Sequence, residues 1–319
     1  MTTFLVTGAL GQVGTELTLA LRARYGAEAV LATDVRRPAP GHLLSGGPYE
    51  QLDCTDARAL HELVARRGPR TVYHLAALLS AVAEARPLDA WQVNMGALLA
   101  VLEAARTHHL RVFVPSSIAA FGPTTPRDHT PQDTLQRPTS LYGITKVAGE
   151  LLCDYYHARY GVDVRGLRYP GLISHRALPG GGTTDYAVDM FHAAAQGESF
   201  TCPLLPDTAL PMMHMPDAVR ATLDLMDADP ARLAHRNAYN VAAMTFTPED
   251  LARAIRRHLP GFEVRYAVEP VKQGIADAWP RSLDDSAARE EWGWAPRFGL
   301  AATTADMLAA LRRRTAEEV

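Results

Sequence analysis

Tyr142 and Lys146 stand four residues apart in Tyr142-Gly143-Ile144-Thr145-Lys146. On a helix this spacing puts a phenol and an ammonium on one face, a turn apart. Pro138-Thr139-Ser140 just upstream offers a hydroxyl N-cap. Tyr142 then falls in the first turn, where the helix macrodipole favours negative charge. Lys146 adds a full positive charge, so both effects favour tyrosinate, a general base. A free phenol titrates near pKa ~10 and a base acting near neutrality wants ~7, so the site must supply roughly 4 kcal/mol. A close cation lowers an acid by about 1–3 pKa units, and a helix end adds about 0.3–1 kcal/mol. The ring of a cationic cofactor can supply the rest. Tyr and Lys also meet at this spacing by chance on surface helices, so the rest of the chain has to decide.

The elements that would position this pair begin at the N-terminus. Phe4-Leu5-Val6 reads as a short strand, Gly8-Ala9-Leu10-Gly11-Gln12-Val13-Gly14 as a turn, and Thr15 to Arg24 as a helix. Strand, glycine turn and helix are the setting in which Gly8, Gly11, Gln12, Val13 and Gly14 can meet a dinucleotide pyrophosphate through backbone N–H groups. The alternative is a turn rich in glycine for packing alone. Ala29 to Thr33 forms the next strand and ends at Asp34, twenty residues past Gly14. A carboxylate there accepts from an adenosine ribose and repels a 2′-phosphate, which predicts NAD over NADP. Arg36 and Arg37 argue the other way, since guanidinium groups can hold that phosphate, and Asp34 also suits a plain strand-end turn.

Further strands are expected at Tyr49–Asp53, Thr71–Leu75, Arg111–Pro115 and Val162–Tyr169, alternating with helices at Asp56–Arg67, Ala90–His108 and Tyr142–Arg159. The alternation predicts an α/β chain with a Rossmann-type doubly wound parallel sheet, covered on both faces. Ligands of such sheets lie beyond the carboxyl ends of the strands. That places Asp53 and Cys54 near an adenine, the backbone of Leu75, Ala76 and Ala77 against the cofactor, and Ser117 in the site. Ser80 is the first polar side chain placed to reach a substrate, with helix capping as the other use. Asn94, inside an apolar helix, calls for a specific partner. After Tyr169 proline and glycine break the pattern. Residues 1–169, rejoined by about 213–244, are expected to bind the cofactor. Residues 170–212 and 245–319 are expected to form a smaller substrate-binding domain, with helices at Asp185–Gln196, Pro216–Met226, Thr247–His258 and Ala301–Arg313 and strands at Asn237–Ala243 and Glu263–Val268.

Composition narrows the class. The chain has 319 residues, 47% hydrophobic and 21% charged, with a formal net charge of −3. That gives no reason to expect nucleic acid or an anionic membrane as partner. Cys54, Cys153 and Cys202 are far apart and suggest neither a metal site nor a disulfide framework, which suits a reducing cytoplasm. No basic leader or long apolar stretch is read at the N-terminus.

Gly8-x-x-Gly11-x-x-Gly14, Asp34, Ser117 and Tyr142-x-x-x-Lys146 together resemble the extended short-chain dehydrogenase/reductase superfamily, of the UDP-glucose 4-epimerase type, over nearly the whole chain. Within it, Pro115-Ser116-Ser117-Ile118-Ala119-Ala120-Phe121-Gly122-Pro123, Arg168-Tyr169-Pro170-Gly171-Leu172-Ile173-Ser174, Pro179-Gly180-Gly181-Gly182-Thr183-Thr184-Asp185-Tyr186-Ala187 and Met212-Met213-His214-Met215-Pro216-Asp217-Ala218 are most similar to the short-chain L-threonine 3-dehydrogenases. Epimerases of the type usually carry Arg-Tyr-Phe-Asn where this chain has Arg168-Tyr169-Pro170-Gly171, so the amide that serves a nucleotide-sugar is missing. A nucleotide-sugar epimerase or dehydratase is the competing expectation.

The resemblance implies oxidation of L-threonine at its 3-hydroxyl to 2-amino-3-oxobutyrate. Tyr142 would be the base, Ser117 would hold the hydroxyl, and Lys146 would hold the nicotinamide ribose, with Leu172 beside the cofactor. Gly180 to Thr184 before a helix offers N–H groups and hydroxyls for the substrate carboxylate, through Gly182 and Thr184, or else a hinge and a cap. Asp185 is explained equally by an ammonium or by the helix dipole, and Trp279 is expected to close over the site. His214 can line the rim of the cofactor domain, but is expected rather to be a hydrogen-bonded structural residue. The likeness also implies a homodimer, through helices near 90–108 and 140–158, with Leu151, Tyr155 and Tyr156 suited to the seam or equally to packing within the chain.

Overall fold

A computed structural model describes residues 2–176 and 180–317, with side chains through 313. Pro179, and the ends of the expected cofactor and substrate segments, lie outside these residues. The first half runs β1 (Phe4–Thr7), α1 (Gln12–Tyr25), β2 (Val30–Asp34), β3 (Tyr49–Gln51), α2 (Ala57–Arg67) and β4 (Thr71–His74). Then come α3 (Ser80–Ala85), α4 (Pro87–Trp91), α5 (Ala97–His108), β5 (Arg111–Phe113), β6 (Ser116–Ser117), α6 (Leu141–Tyr160) and β7 (Val164–Arg165). Six strands form one parallel sheet in the order β3-β2-β1-β4-β5-β7. The register sets Leu5 beside Leu31 and Val72, three buried apolar residues in a row across the sheet. Such residues suit a sheet covered on both faces. The strand order reverses between β1 and β4, the switch point at which doubly wound sheets bind ligands.

The expected sixth strand divides. Val164–Arg165 ends the main sheet, and β8 (Leu167–Tyr169) leaves it to pair with β6 and with β12 (Tyr239–Asn240). Pro115 explains the break, because it has no N–H to continue the ladder beyond the Val114-to-Arg165 bond. The helix expected over 90–108 begins earlier, at Pro87, and opens into a wide π turn over Gln92–Gly96. That turn carries Asn94, whose amide accepts from the Leu78 N–H (2.8 Å) and donates to the Leu78 carbonyl (3.2 Å) and the Thr145 hydroxyl (3.1 Å). The partner expected for Asn94 is therefore the chain just past β4, together with α6.

The second half adds β9 (Gly171–Ile173), α7 (Tyr186–Gln196), β10 (Phe200–Cys202), β11 (Leu210–His214), α8 (Met215–Asp227), β13 (Met244–Phe246), α9 (Pro248–Arg256) and β14 (Val264–Tyr266). It closes with α10 (Pro270–Asp277), α11 (Ser286–Trp292) and α12 (Leu300–Glu317). β11 pairs parallel to β9 and antiparallel to β13, and β10 pairs with β14. The strand expected over 237–243 shortens to Tyr239–Asn240, and β10, β13, α10 and α11 were not foreseen. Thr247 caps α9 in a box with Asp250, as its sequence suggests. Three apolar cores result. One lies under the sheet with α2, α5 and α6, and one joins α1 to α8 and β12. The third gathers α7, α9 and α12 around Tyr142, Ile118 and Trp279.

Among the described residues no helix is long and apolar enough to cross a membrane, and no group of three or more His, Cys, Asp or Glu side chains is set to hold a metal.

Candidate active site

α6 starts where the sequence places it. The Ser140 hydroxyl accepts the Gly143 N–H at 3.1 Å, and Tyr142 sits in the first turn. The helix buries Tyr142, Thr145, Gly149, Glu150 and Cys153 along one face, so the phenol and the ammonium share it. Lys146 Nζ lies 5.3 Å from the Tyr142 ring centroid and donates to the Pro115 carbonyl at 2.7 Å. Ser117 ends β6 beside the phenol, its hydroxyl accepting the Ala119 N–H at 3.2 Å. The three residues expected to do chemistry are therefore brought together.

Their ionisation in the cofactor-free chain is set by burial. Burial pushes the Tyr142 phenol up to about 12, against a smaller lowering by the Ser117 hydroxyl. In the cofactor-free chain the loss of solvent outweighs the one lowering hydrogen bond, from the Ser117 hydroxyl, so the phenol stays neutral. Burial also pulls Lys146 down to about 8, opposed by the Glu150 carboxylate. His74, at the end of β4, is held near 3 by burial and by Lys146, and shares a 2.8 Å hydrogen bond with the Thr7 hydroxyl.

The glycine turn faces the switch point. Gly8 has φ +68°, and a Cβ there would stand 2.6 Å from the Ala76 nitrogen. A Cβ on Gly14 would stand 2.2 Å from the Gly8 carbonyl oxygen. Both positions therefore need glycine to bring α1 against the turn and the turn against Leu75 and Ala76. Leu10, Val13, Leu75 and Leu172 pack against one core, which brings these expected cofactor neighbours together. The Gln12 side-chain nitrogen is buried without a partner among the described residues, at the first position of α1. An unspent donor at a helix N-terminus, in a cradle that admits no Cβ, fits a dinucleotide pyrophosphate.

Asp34 is buried at the end of β2. Its Oδ2 accepts the Leu10 N–H at 3.1 Å, tying the glycine turn to the strand. The Arg36 guanidinium donates back to Asp34 Oδ1 at 3.0 Å, and Arg37 donates to Gln51 at 2.9 Å. Both arginines that argued for a 2′-phosphate are thus engaged. Asp53 accepts from the Thr55 N–H and hydroxyl at 2.9 and 2.7 Å, a local turn. Cys54 is buried and its thiol is pushed up to about 11.

On the substrate side the structure redistributes the roles. Ser80 is buried and its hydroxyl accepts the Thr183 N–H at 3.3 Å, so it stitches α3 to the loop before α7. The Gly181 and Gly182 N–H groups, expected to meet a substrate carboxylate, are taken by Asp185 Oδ2 at 2.9 and 2.6 Å. The short loop folds back on its own acid, whose carboxyl burial pushes up to about 6. Thr184 packs against Gly171 of β9, and Trp279 is buried in the core that holds Tyr142. His214 is fully buried, meeting the Ile173 carbonyl at 3.1 Å and Asp306 at 2.8 Å, a structural role as expected. Tyr156 is likewise buried, with its hydroxyl on Glu103 at 2.5 Å, and so is withdrawn from any seam, while Leu151 and Tyr155 stay exposed.

Sequence reasoning missed Glu150, His74 and Thr145. For Glu150 a signal existed: an acid one turn beyond Lys146, on the stripe that also carries Gly149 and Cys153.

Comparison with known proteins followed the same lines. A family model described as the NAD dependent epimerase/dehydratase family matches residues 4–242. A Staphylococcus saprophyticus protein named as an uncharacterized epimerase/dehydratase is 52% identical over 319 residues, all of both chains. The X-ray structure of L-threonine dehydrogenase from Clostridium difficile is 48% identical with a TM-score of 0.96, covering 98% of each chain. The holo form of a GalE-like L-threonine dehydrogenase from Cupriavidus necator is 54% identical with a TM-score of 0.94, covering 97% of this chain and 99% of that one.

Proposed function

Because the chain belongs to the NAD-dependent epimerase/dehydratase family, we propose that it is an NAD-dependent oxidoreductase that oxidises L-threonine at the 3-hydroxyl to 2-amino-3-oxobutyrate. The observation that carries this is the full-length likeness, at about half identity, to solved L-threonine dehydrogenases, joined to a Tyr142, Lys146 and Ser117 set gathered at one sheet edge. Asp34, Gln12 and the Gly8–Gly14 cradle hold NAD, with Leu75, Ala76, Ala77 and Leu172 beside it and Asp53 and Cys54 toward the adenine. Bound NAD supplies the hydride acceptor. Tyr142 takes the hydroxyl proton, Ser117 orients that hydroxyl, and Lys146 keeps positive charge beside the phenolate. The Thr184 hydroxyl meets the substrate carboxylate, and Trp279 walls the site with apolar bulk that keeps water away from the reacting carbon. Residues 1–169 and 213–244 form the cofactor half, and the exposed Leu99, Leu151 and Tyr155 face of α5 and α6 joins a second copy.

A panel of L-threonine, allo-threonine, serine, 3-hydroxybutyrate and a UDP-hexose, read by NADH formation, tests the reading. L-threonine should give the highest kcat/KM. Conversion of the UDP-hexose to its epimer without net NADH, and no turnover of threonine, would replace it with the epimerase reading.

A further inference from the structure

Lys146 is one of two lysines in the chain, the other being Lys272. An ammonium has three hydrogens to place, and Pro115 takes one. Beside it lies a cavity of about 30 Å³ whose lining includes His74, Asn94, Ser116, Lys146, Glu150 and Asn237. One water centre needs about 10–15 Å³ and two to four polar partners, so about two waters fit here. Glu150 follows Lys146 by one helical turn and is 5% exposed. Arg168 holds its two oxygens at 3.0 and 2.8 Å, Gln136 donates to one at 2.8 Å, and the Ser116 hydroxyl donates to the other. Among the described residues no hydrogen bond joins Glu150 to Lys146, and the cavity is what lies between them.

We propose that Glu150 is a positioning residue for the reaction: the counter-ion that keeps Lys146 charged, acting through water in the cavity they share. The other groups that face Lys146 cannot take this part. From β4, His74 is neutral in its buried setting, and from α6, the buried Cys153 thiol is pushed well up and stays protonated. Tyr142 is a neutral phenol without cofactor. Asp154 lies beyond Glu150, toward Asn237 at 3.3 Å, and the Arg168 charge from β8 is directed at Glu150. Left to burial alone, an ammonium in this place loses its proton more readily. A Lys146 that turned neutral near physiological pH would no longer help hold a phenolate one turn away.

This deepens the function proposed above, and it is tested without cofactor or substrate. Protein labelled with ¹³C at lysine Cε shows two resonances, which Lys272→Arg assigns. Their chemical shifts are followed from about pH 6 to 11, a range that brackets an ordinary lysine midpoint near 10.4. In Glu150→Gln the Lys146 midpoint should fall by about one pH unit, a tenfold loss of proton affinity, as expected for one removed opposite charge. Lys272 should not move. Arg168→Gln, which leaves the carboxylate un-neutralised, should hold the Lys146 midpoint or raise it. A midpoint unchanged in Glu150→Gln, or one that falls equally in both variants, overturns the proposal and leaves Glu150 as an anchor for Arg168. Removing one partner of a buried pair is costly, so the Glu150→Gln/Arg168→Gln double variant is read by the same criterion where the single variant does not fold. A threonine-inactive protein with the expected titration would refute the proposed function and leave this inference standing.

Discussion

The Tyr142 phenol should ionise only when NAD is bound. In the cofactor-free protein burial pushes it up to about 12. At pH ~8 a group of that pKa is ionised about once in ten thousand, and moving its midpoint to ~8 takes roughly 5–6 kcal/mol. Lys146, with its nitrogen 5.3 Å from the ring centroid, is already in place and does not supply this. A second positive charge within about 4–6 Å lowers an acid by about 1–3 units, and a direct hydrogen bond to the phenolate lowers it further. The nicotinium ring and a substrate hydroxyl are the groups that can provide these. The assay is the near-ultraviolet absorbance of phenolate, taken as wild type minus Tyr142→Phe across a pH series, with and without NAD. Without NAD the difference should stay flat to pH ~10. With NAD a phenolate signal should emerge several pH units lower. A Tyr142-dependent phenolate below pH ~9 in the cofactor-free protein would refute the reasoning, since it would mean that Lys146 and the helix end outweigh burial.

Three further outcomes are expected. Gly14→Ala sets a methyl 2.2 Å from the Gly8 carbonyl oxygen, so thermal stabilisation by NAD should vanish and the fold should lose about 1–3 kcal/mol in a denaturant titration. Asp34→Ala removes the carboxylate that Arg36 and the Leu10 N–H share; the ratio of kcat/KM for NADP over NAD should rise about tenfold or more, the worth of ~1.4 kcal/mol of lost repulsion. His74 stays neutral in the fold down to about 3, whereas the unfolded ring protonates near 6.5, so the unfolded chain binds the extra proton between those values. Stability should therefore fall as pH drops below ~6.5, by up to about 1.4 kcal/mol per unit from this group, and His74→Gln should flatten that slope in urea melts at successive pH values.

What the sequence made legible was local. Gly8 and Gly11 sit between a strand and a helix with Gly14 in that helix's first turn, and Ser140 stands before Tyr142, so each cap and turn is written within a few residues. Asn94 was marked by its oddness in an apolar run. What escaped depends on distant partners. The Gly181 and Gly182 N–H groups look free in the sequence and are spent on Asp185, because the loop turns back on itself. Ser80 looks available and is buried against Thr183, more than a hundred residues on. The ionisation of Tyr142 was only half visible for the same reason: spacing displays the cation, while the burial that opposes it comes from a core shared with distant residues such as Tyr186 and Trp279. The short strands β10 and β13 and the helices α10 and α11 escaped because their few residues carry too little periodicity to stand out.

α6 is anchored in two different places. Its far end, through Cys153 and Tyr156, is set in the core beneath the sheet, while Tyr142 is set among Tyr186, Phe191 and Trp279. Anyone trimming those aromatics would therefore be loosening the core that holds the phenol. Libraries that vary Ile118 and Phe121 alongside them, residues of the same core, have a way to return it to its place.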